Sequence, residues 1–491
     1  MIDTEALRKK VIDLAIQGKL TEQLPSDGSA ETLIEQIANE KLELIRQGKI
    51  PKEKSLPNIA KEEIAFVIPD SWRWVRVQDV ASYITDYVAN GSFATLKEHT
   101  KTYKEPNYAI FVRTMDFGTG FEEGCSYIDK ESYEFLGKSK LFGGELILPN
   151  IGASIGKAFV MPDLGMPMSL APNSILLKFI YSEMNEYFSF VVKSTYGQQL
   201  LNKTQGGSAT AKFSKTDLRT LVVPLPPICE ITRIVNKIRE LGRYIDCIDN
   251  LQSKYSNDLA VLKSKIIDAG IQGKLTEQLP EDGDAETLYS QIQEEKAMLI
   301  KEGKIKKEKP LLEINADEIP FEIPKNWKWV RLQELVSILG DGIHGTPKYD
   351  ETGEYFFVNG NNLCDGKIVI KPTTKKVNED EYQKYKKELN GNTIFVSING
   401  TLGNLAFYNN EKVILGKSAC YINLLNKELK VYIYYVLKSE YYLKYANYSA
   451  TGVTIRNVSL KAMNEFYIPL PPLEEQKRIT KGIEELLGVI S

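Results

Sequence analysis

IQGKLTEQLP, residues 16–25, returns unchanged as residues 271–280. Ten identical residues at an offset of 255 do not recur by chance, so the chain carries an internal repeat, and a repeat settles organisation before any single motif does. The match extends outward. LRKKVIDLA from Leu7 answers LKSKIIDAG from Leu262, ETLIEQI from Glu31 answers ETLYSQI from Glu286, and IPDSWRWVRVQDV from Ile68 answers IPKNWKWVRLQEL from Ile323. Similarity then fades, from about 81 to 200 and from about 336 to 445. It returns in LVVPLPPICEITRI from Leu221 and FYIPLPPLEEQKRI from Phe466, now at an offset of 245. The order is shared frame, variable block, shared frame, variable block, shared frame.

Between the blocks, Ile231, Ile234, Ile238, Leu241, Ile245 and Ile248 recur at three- and four-residue spacing. After a polar Gln252 the rhythm continues through Tyr255, Leu259, Leu262, Ile266 and Ala269. Such a narrow apolar stripe predicts a long helix in need of a partner helix. Pro224, Pro226 and Pro227 suit the residues just before its start. About 40 residues at ~1.5 Å each give a rod of roughly 60 Å. At the offset of 245, Ile479, Ile483, Leu486 and Ile490 fall on Ile234, Ile238, Leu241 and Ile245. At the offset of 255, Leu7, Val11 and Leu14 fall on Leu262, Ile266 and Ala269. The repeat is therefore circular. The two chain ends are expected to supply a second rod, antiparallel to the first and lacking nine positions.

A chain of 491 residues exceeds what one core supports. The expected segments are an N-terminal helical segment (1–71), a first variable domain (72–225), a central helical region (226–326), a second variable domain (327–470) and a C-terminal helix (471–491). Strand-like runs in the variable blocks (ELILPNI, NSILLKFI, NTIFVSI, CYINLL) are broken by Gly and Asn turns, and aromatic-rich helical stretches follow. The expected class is α+β: two similar globular domains joined by a pair of long antiparallel helices. No apolar run reaches the ~18 residues of a membrane span, and MIDTEALRKK is no secretory signal. Five scattered cysteines fit the reduced thiols of a cytoplasm rather than a disulfide framework. With two histidines in the chain, a histidine-based metal site or triad is not expected.

Phosphate-loop chemistry fails on inspection. GASIGKA at Gly152 has one residue too few between its glycines and Ala158 where Ser or Thr should follow the lysine; GKSAC at Gly416 lacks the upstream glycine. The proline pairs Pro226–Pro227 and Pro471–Pro472 lack the polar and aromatic neighbours of a base-flipping methyltransferase loop. Two pairs of loops are more informative. GASIGK (152–157) and NGTLGN (399–404) each follow a strand, and KTQGGSATAKFS (from Lys203) and YSATGVTIRNVS (from Tyr448) recur at matching places. Small residues let a backbone approach a phosphate chain, hydroxyls and N–H groups bond its oxygens, and bases add charge. The candidate DNA-binding residues are Ser154, Lys157, Lys203, Thr204, Gln205, Gly206, Gly207, Ser208 and Lys212 in the first block. In the second they are Asn399, Thr401, Asn404, Thr451, Thr454 and Arg456. Charge agrees: residues 72–225 hold 16 Lys+Arg against 15 Asp+Glu and residues 327–470 hold 18 against 14, within a chain of net charge −3.

The circular frame, the WxWV motif leading each block (Trp72, Trp74, Val75; Trp327, Trp329, Val330), the LPP(I/L)xE closing motif and the divergent blocks together resemble the specificity subunit of Type I restriction-modification enzymes. The likeness spans the whole chain. The first closing motif departs from the family pattern, with Ile231 where Gln is usual. The resemblance implies that each block reads one half of a bipartite, asymmetric site on double-stranded DNA. It implies that the helices set the gap between the halves and dock two methyltransferase subunits. Restriction/translocation subunits would join them. S-adenosylmethionine, ATP and Mg would be bound by those partners, and no cofactor, metal or catalysis is expected of this chain. Two rivals are an autonomous DNA methyltransferase, which methyl transfer by the purified chain would reveal, and a coiled-coil protein-binding scaffold, which footprinting separates.

Overall fold

The computed structural model describes residues 1–204, 212–307, 313–452 and 454–490. The chain forms two compact units, Met1–Ser253 and Lys254–Ser491, and their boundary falls inside a single long helix, Ile228–Ile271.

In the first unit the N-terminal helix Thr4–Ile16 starts at Asp3, whose side chain accepts from the Ala6 N–H. It runs antiparallel to the front of the long helix. Ile2 N donates to Gln252, Arg8 pairs with Asp246 and Asp249, and Thr21 and Gln23 reach Glu230. In the second unit the C-terminal helix Leu473–Val489 lies on the back of the long helix, with Ile479 and Ile483 against Gly270. A Cβ at Gly270 would sit 2.7 Å from Ile483 Cδ1, so glycine sets this close approach. Each chain end thus pairs with its own half of the long helix.

The expected seam holds at one end and slips at the other. Ile231, Ile234, Ile238 and Ile245 are buried, as are Val11, Ile479 and Ile483; Leu241, Ile248, Leu259, Ile266, Leu14 and Ile490 are half-buried. Leu262, Leu486 and Leu7 are exposed, at 44, 41 and 36%, and Tyr255 is 64% exposed. At the inner ends the buried positions fall one residue beyond the half-buried Ile266, Ala269 and Leu14: Ile267 and Gly270 on the long helix and Ala15 on the first, with Ile271 and Ile16 buried beside them. Ile267 and Ile271 belong to the core of the second unit, and Ala15 and Ile16 to that of the first. Burial against a globular core outweighs a helix–helix stripe alone, and it turns these helix ends by about one residue, ~100°.

The frame explains the repeat residue by residue. Arg73–Arg76 pairs antiparallel with Val222–Leu225, and Lys328–Arg331 with Tyr467–Leu470, so each leading motif is zipped to its closing motif. Beside each ladder sits a buried glutamate. Glu230 accepts from Trp72 Nε1 (2.7 Å), Thr21 Oγ1 (3.0 Å) and Gln23 Nε2 (2.8 Å). Glu475 accepts from Trp327 Nε1 (2.8 Å), Thr276 Oγ1 (3.2 Å) and Gln278 Nε2 (2.9 Å). Gly18 and Gly273 adopt left-handed backbone (φ 68° and 70°) against Pro69 and Pro324, where a Cβ would lie 2.4 Å from the ring. Asp27 is clamped by Arg233 and Asp282 by Arg478, and each guanidinium holds its carboxyl below the usual carboxylate range.

Between its zipped ends each block has one plan. Its four-stranded antiparallel sheet runs Ala81–Asp86, Ser174–Phe179, Leu146–Pro149, Phe159–Val160 in the first unit. In the second it runs Val336–Asp341, Ala419–Leu424, Thr393–Ser397, Leu405–Phe407. The four apolar runs read as strands from sequence are in these sheets. Each aromatic stretch forms two helices broken at a buried serine: Ser182–Lys193 and Thr195–Thr204 around Ser194, Lys430–Lys438 and Glu440–Ser449 around Ser439. A second sheet, of five short strands in the first block and three in the second, is mixed in both. Ala109–Val112 runs parallel to Met168–Leu170, and Tyr355–Val358 parallel to Val413–Leu415. Asp13 caps the Thr195 N–H at 2.7 Å and Asp268 caps the Glu440 N–H at 3.1 Å, tying frame helix to block helix at equivalent places.

Candidate nucleic-acid interface

The two loop pairs singled out in the sequence meet in space. In the first unit, Gly152–Ser154 forms a tight 3-10 turn after the strand Leu146–Pro149. Ile151 bridges to Lys212, Phe213 N donates to Asn150 O, and Asn150 Nδ2 donates to Phe213 O (3.1 Å each). In the second unit, Asn399 bridges to Asn457, with Nδ2 to Asn457 Oδ1 at 3.0 Å, and Gly400 N donates to Arg456 O at 2.9 Å.

The loops are built alike. Gly152 and Gly400 have φ of 75° and 76°, and Gly156 and Gly403 have 90° and 79°. The second glycine of each touches the same position of the following helix. Gln198 Nε2 donates to Gly156 O at 2.8 Å, and a Cβ at Gly403 would meet Leu443 Cδ2 at 2.4 Å. Four left-handed positions, two of which (Gly156 and Gly403) also leave no room for a Cβ, explain glycines in blocks that share little else.

Around this crossing the candidate residues separate. Lys157, Lys203, Lys212, Thr401, Thr451, Thr454 and Arg456 are exposed. Arg456 is steered by Nη1 donating to Asn447 Oδ1. Ser154 is half-buried, its carbonyl accepting from Lys157 N at 3.2 Å. Asn399 and Asn404 are half-buried, and their amides brace the loop: Asn404 Nδ2 donates to Gly360 O at 3.1 Å. Thr204 closes its helix, and Gln205, Gly206, Gly207 and Ser208 lie outside the described residues. The sequence reading missed Gln198, Asn359 and Gly360. Their partners lie 42 to 59 residues away, so no local pattern marks them. Among the described residues no group of His, Cys, Asp or Glu is arranged to hold a metal ion, and no helix is long and apolar enough to cross a membrane.

The family model described as the Type I restriction modification DNA specificity domain matches residues 69–254 and 324–490, covering both blocks and both closing motifs. The chain belongs to this family. Its duplicated blocks are two copies of the specificity domain on one frame, and the chain is a specificity subunit of a Type I restriction-modification system, a non-catalytic part of that assembly. It is 25% identical over 531 residues to the Type I restriction enzyme EcoAI specificity subunit of Escherichia coli, covering 98% of this chain and 88% of that protein. It is 27% identical over 383 residues to the EcoEI specificity subunit of the same organism, covering 68% of this chain and 62% of that protein. A chain solved in work on complex assembly and conformational transition of the type I R-M system shares the fold. Its TM-score is 0.55 at 15% identity, covering 87% of this chain and 92% of that one.

Proposed function

We propose that each unit reads one half of a two-part, asymmetric site on double-stranded DNA through the crossing of its two loops. The observation that carries this is the pairing of constancy with difference. Both units set the same left-handed glycines at the same crossing, and hang different exposed side chains on it: Lys157, Lys203 and Lys212 in one, Thr401, Thr454 and Arg456 in the other. A constant scaffold with unlike readers suits two unlike half-sites. The lysines and Arg456 supply phosphate contacts. The frame helices dock two methyltransferase subunits and set the gap between the halves. S-adenosylmethionine, ATP and Mg serve those partners and the restriction/translocation subunits in a prokaryotic cytoplasm.

The test is to map methylated positions in a host carrying this chain and its partners, then replace residues 72–225 with the corresponding block of another specificity subunit. The expected result is a two-part motif in which one half changes and the other stays. A motif indifferent to the replacement refutes the reading.

A further inference from the structure

GKSAC, residues 416–420, is not a phosphate loop, for it lacks the upstream glycine. In the fold its Gly-Lys-Ser forms the turn between Val413–Leu415 and Ala419–Leu424, at the crossing just described. Gly416 N donates to Val358 O at 2.9 Å. Ser418 is held on three sides: its Oγ donates to Asn359 Oδ1 (3.1 Å) and accepts from Gly360 N (2.9 Å), and its carbonyl accepts from Ile398 N (3.1 Å). A Cβ at Gly416 would lie 2.1 Å from Asn359 Oδ1 and one at Gly360 2.1 Å from Ser397 Oγ, so only glycine allows the segments to pass this closely.

Lys417 stands between these two anchored residues. It is exposed and makes no hydrogen bond or ion pair among the described residues. The segment it adjoins through Ile398 and Gly360 carries Thr401, and Gly400 ties that loop to Arg456. On a tip whose backbone is already fixed, binding has only the lysine side chain left to order. The first unit builds the same crossing, with Ala171 N to Val112 O at 2.9 Å and Asn150 N to Asn173 O at 3.1 Å. There the residue between the anchors is Pro172, which has no donor to offer.

We propose that Lys417 is a DNA-contacting residue of the second unit, with no counterpart in the first. The proposal rests on the DNA-reading function above and adds a segment to the surface that carries it. The experiment measures binding of the full chain, assembled with its methyltransferase partners, to a duplex carrying the mapped site, across a salt series. Lys417→Ala is expected to weaken binding by at least about tenfold with unchanged melting, and Lys417→Arg to stay within about threefold of wild type. A salt slope lower by about 1 identifies a phosphate contact, while an unchanged slope with lost discrimination against a scrambled second half-site identifies a base edge; either supports the proposal. Lys417→Ala binding within about twofold of wild type, where Arg456→Ala is weakened, overturns this proposal alone. If the wild-type complex shows no sequence-specific binding, the proposed function fails and takes this inference with it.

Discussion

Glu230→Ala removes the acceptor beneath the first ladder. Glu230 and Trp72 are buried, at 0 and 1% exposure, while Thr21 and Gln23 are partly or fully open to solvent. Deleting the carboxylate strands the buried indole N–H; an orphaned buried donor costs ~1–3 kcal/mol. The two more exposed donors regain water and cost about 0.5 kcal/mol each. Removing the buried charge itself returns part of this, because desolvation of the carboxylate no longer opposes folding. The net expectation is about 2–3 kcal/mol, and for a unit of this size that lowers its melting temperature by roughly 4–12 °C. Differential scanning calorimetry on the full chain reads it. Glu475→Ala should produce the same loss in the second unit, since Trp327 depends on it in the same way. Trp72→Phe should reduce the cost of Glu230→Ala by at least about 1 kcal/mol in a double-mutant cycle, because the stranded donor is then absent. A loss below about 1 kcal/mol in both units, or strict additivity with Trp72→Phe, would refute the keystone role.

Three further outcomes follow from the same geometry. Asp27 is held below its ordinary pKa by Arg233, so its stabilisation is present above the unfolded carboxylate value of ~3.9 and is lost as pH falls through the folded one; the melting gap between wild type and Asp27→Asn should hold above that value and narrow as pH falls below it, and a constant gap counts against the ion pair. Deleting residues 1–17 removes buried Val11, Ala15 and Ile16 together with the Arg8 pairs; a loss of about 4 kcal/mol is expected from the apolar burial, and unchanged melting of the first unit would contradict the antiparallel pairing. Gly156→Ala or Gly403→Ala places a side chain at φ of 90° or 79°; the strain of about 1–2 kcal/mol should weaken DNA binding more than it lowers melting, and a variant that binds as wild type would remove the loop from the interface.

Much of this was readable before the fold because the repeat is a structural record. Each residue that recurs, from Gly18 and Gln23 to Trp72 and Glu230, has a contact that recurs with it. Strands such as Ser174–Phe179 were legible from their unbroken apolar runs. The helix register was not. Ile266 and Ile267 are both apolar, and only the core of the second unit selects the latter. The loops were legible as loops, but a sequence does not say which way an amide points. Only the fold shows the amide nitrogen of Asn404 donating to the carbonyl of Gly360, 44 residues upstream.

The antiparallel ladder between Arg73–Arg76 and Val222–Leu225 has a consequence for how such a chain acquires new preferences. Both ends of the intervening 145 residues arrive side by side, ~5 Å apart, on strands whose partners and buried glutamate belong to the frame. An insert that begins and ends at that spacing, and that presents the same helix start to Asp13 and the same apolar face to the long helix, can be accepted without disturbing the helices beneath. Point changes must preserve a crossing with no room for a Cβ at several positions, whereas wholesale exchange carries a finished crossing in with it. Inheritance by cassette is therefore the mechanically easy route, and the two cassettes of one chain are free to follow separate histories.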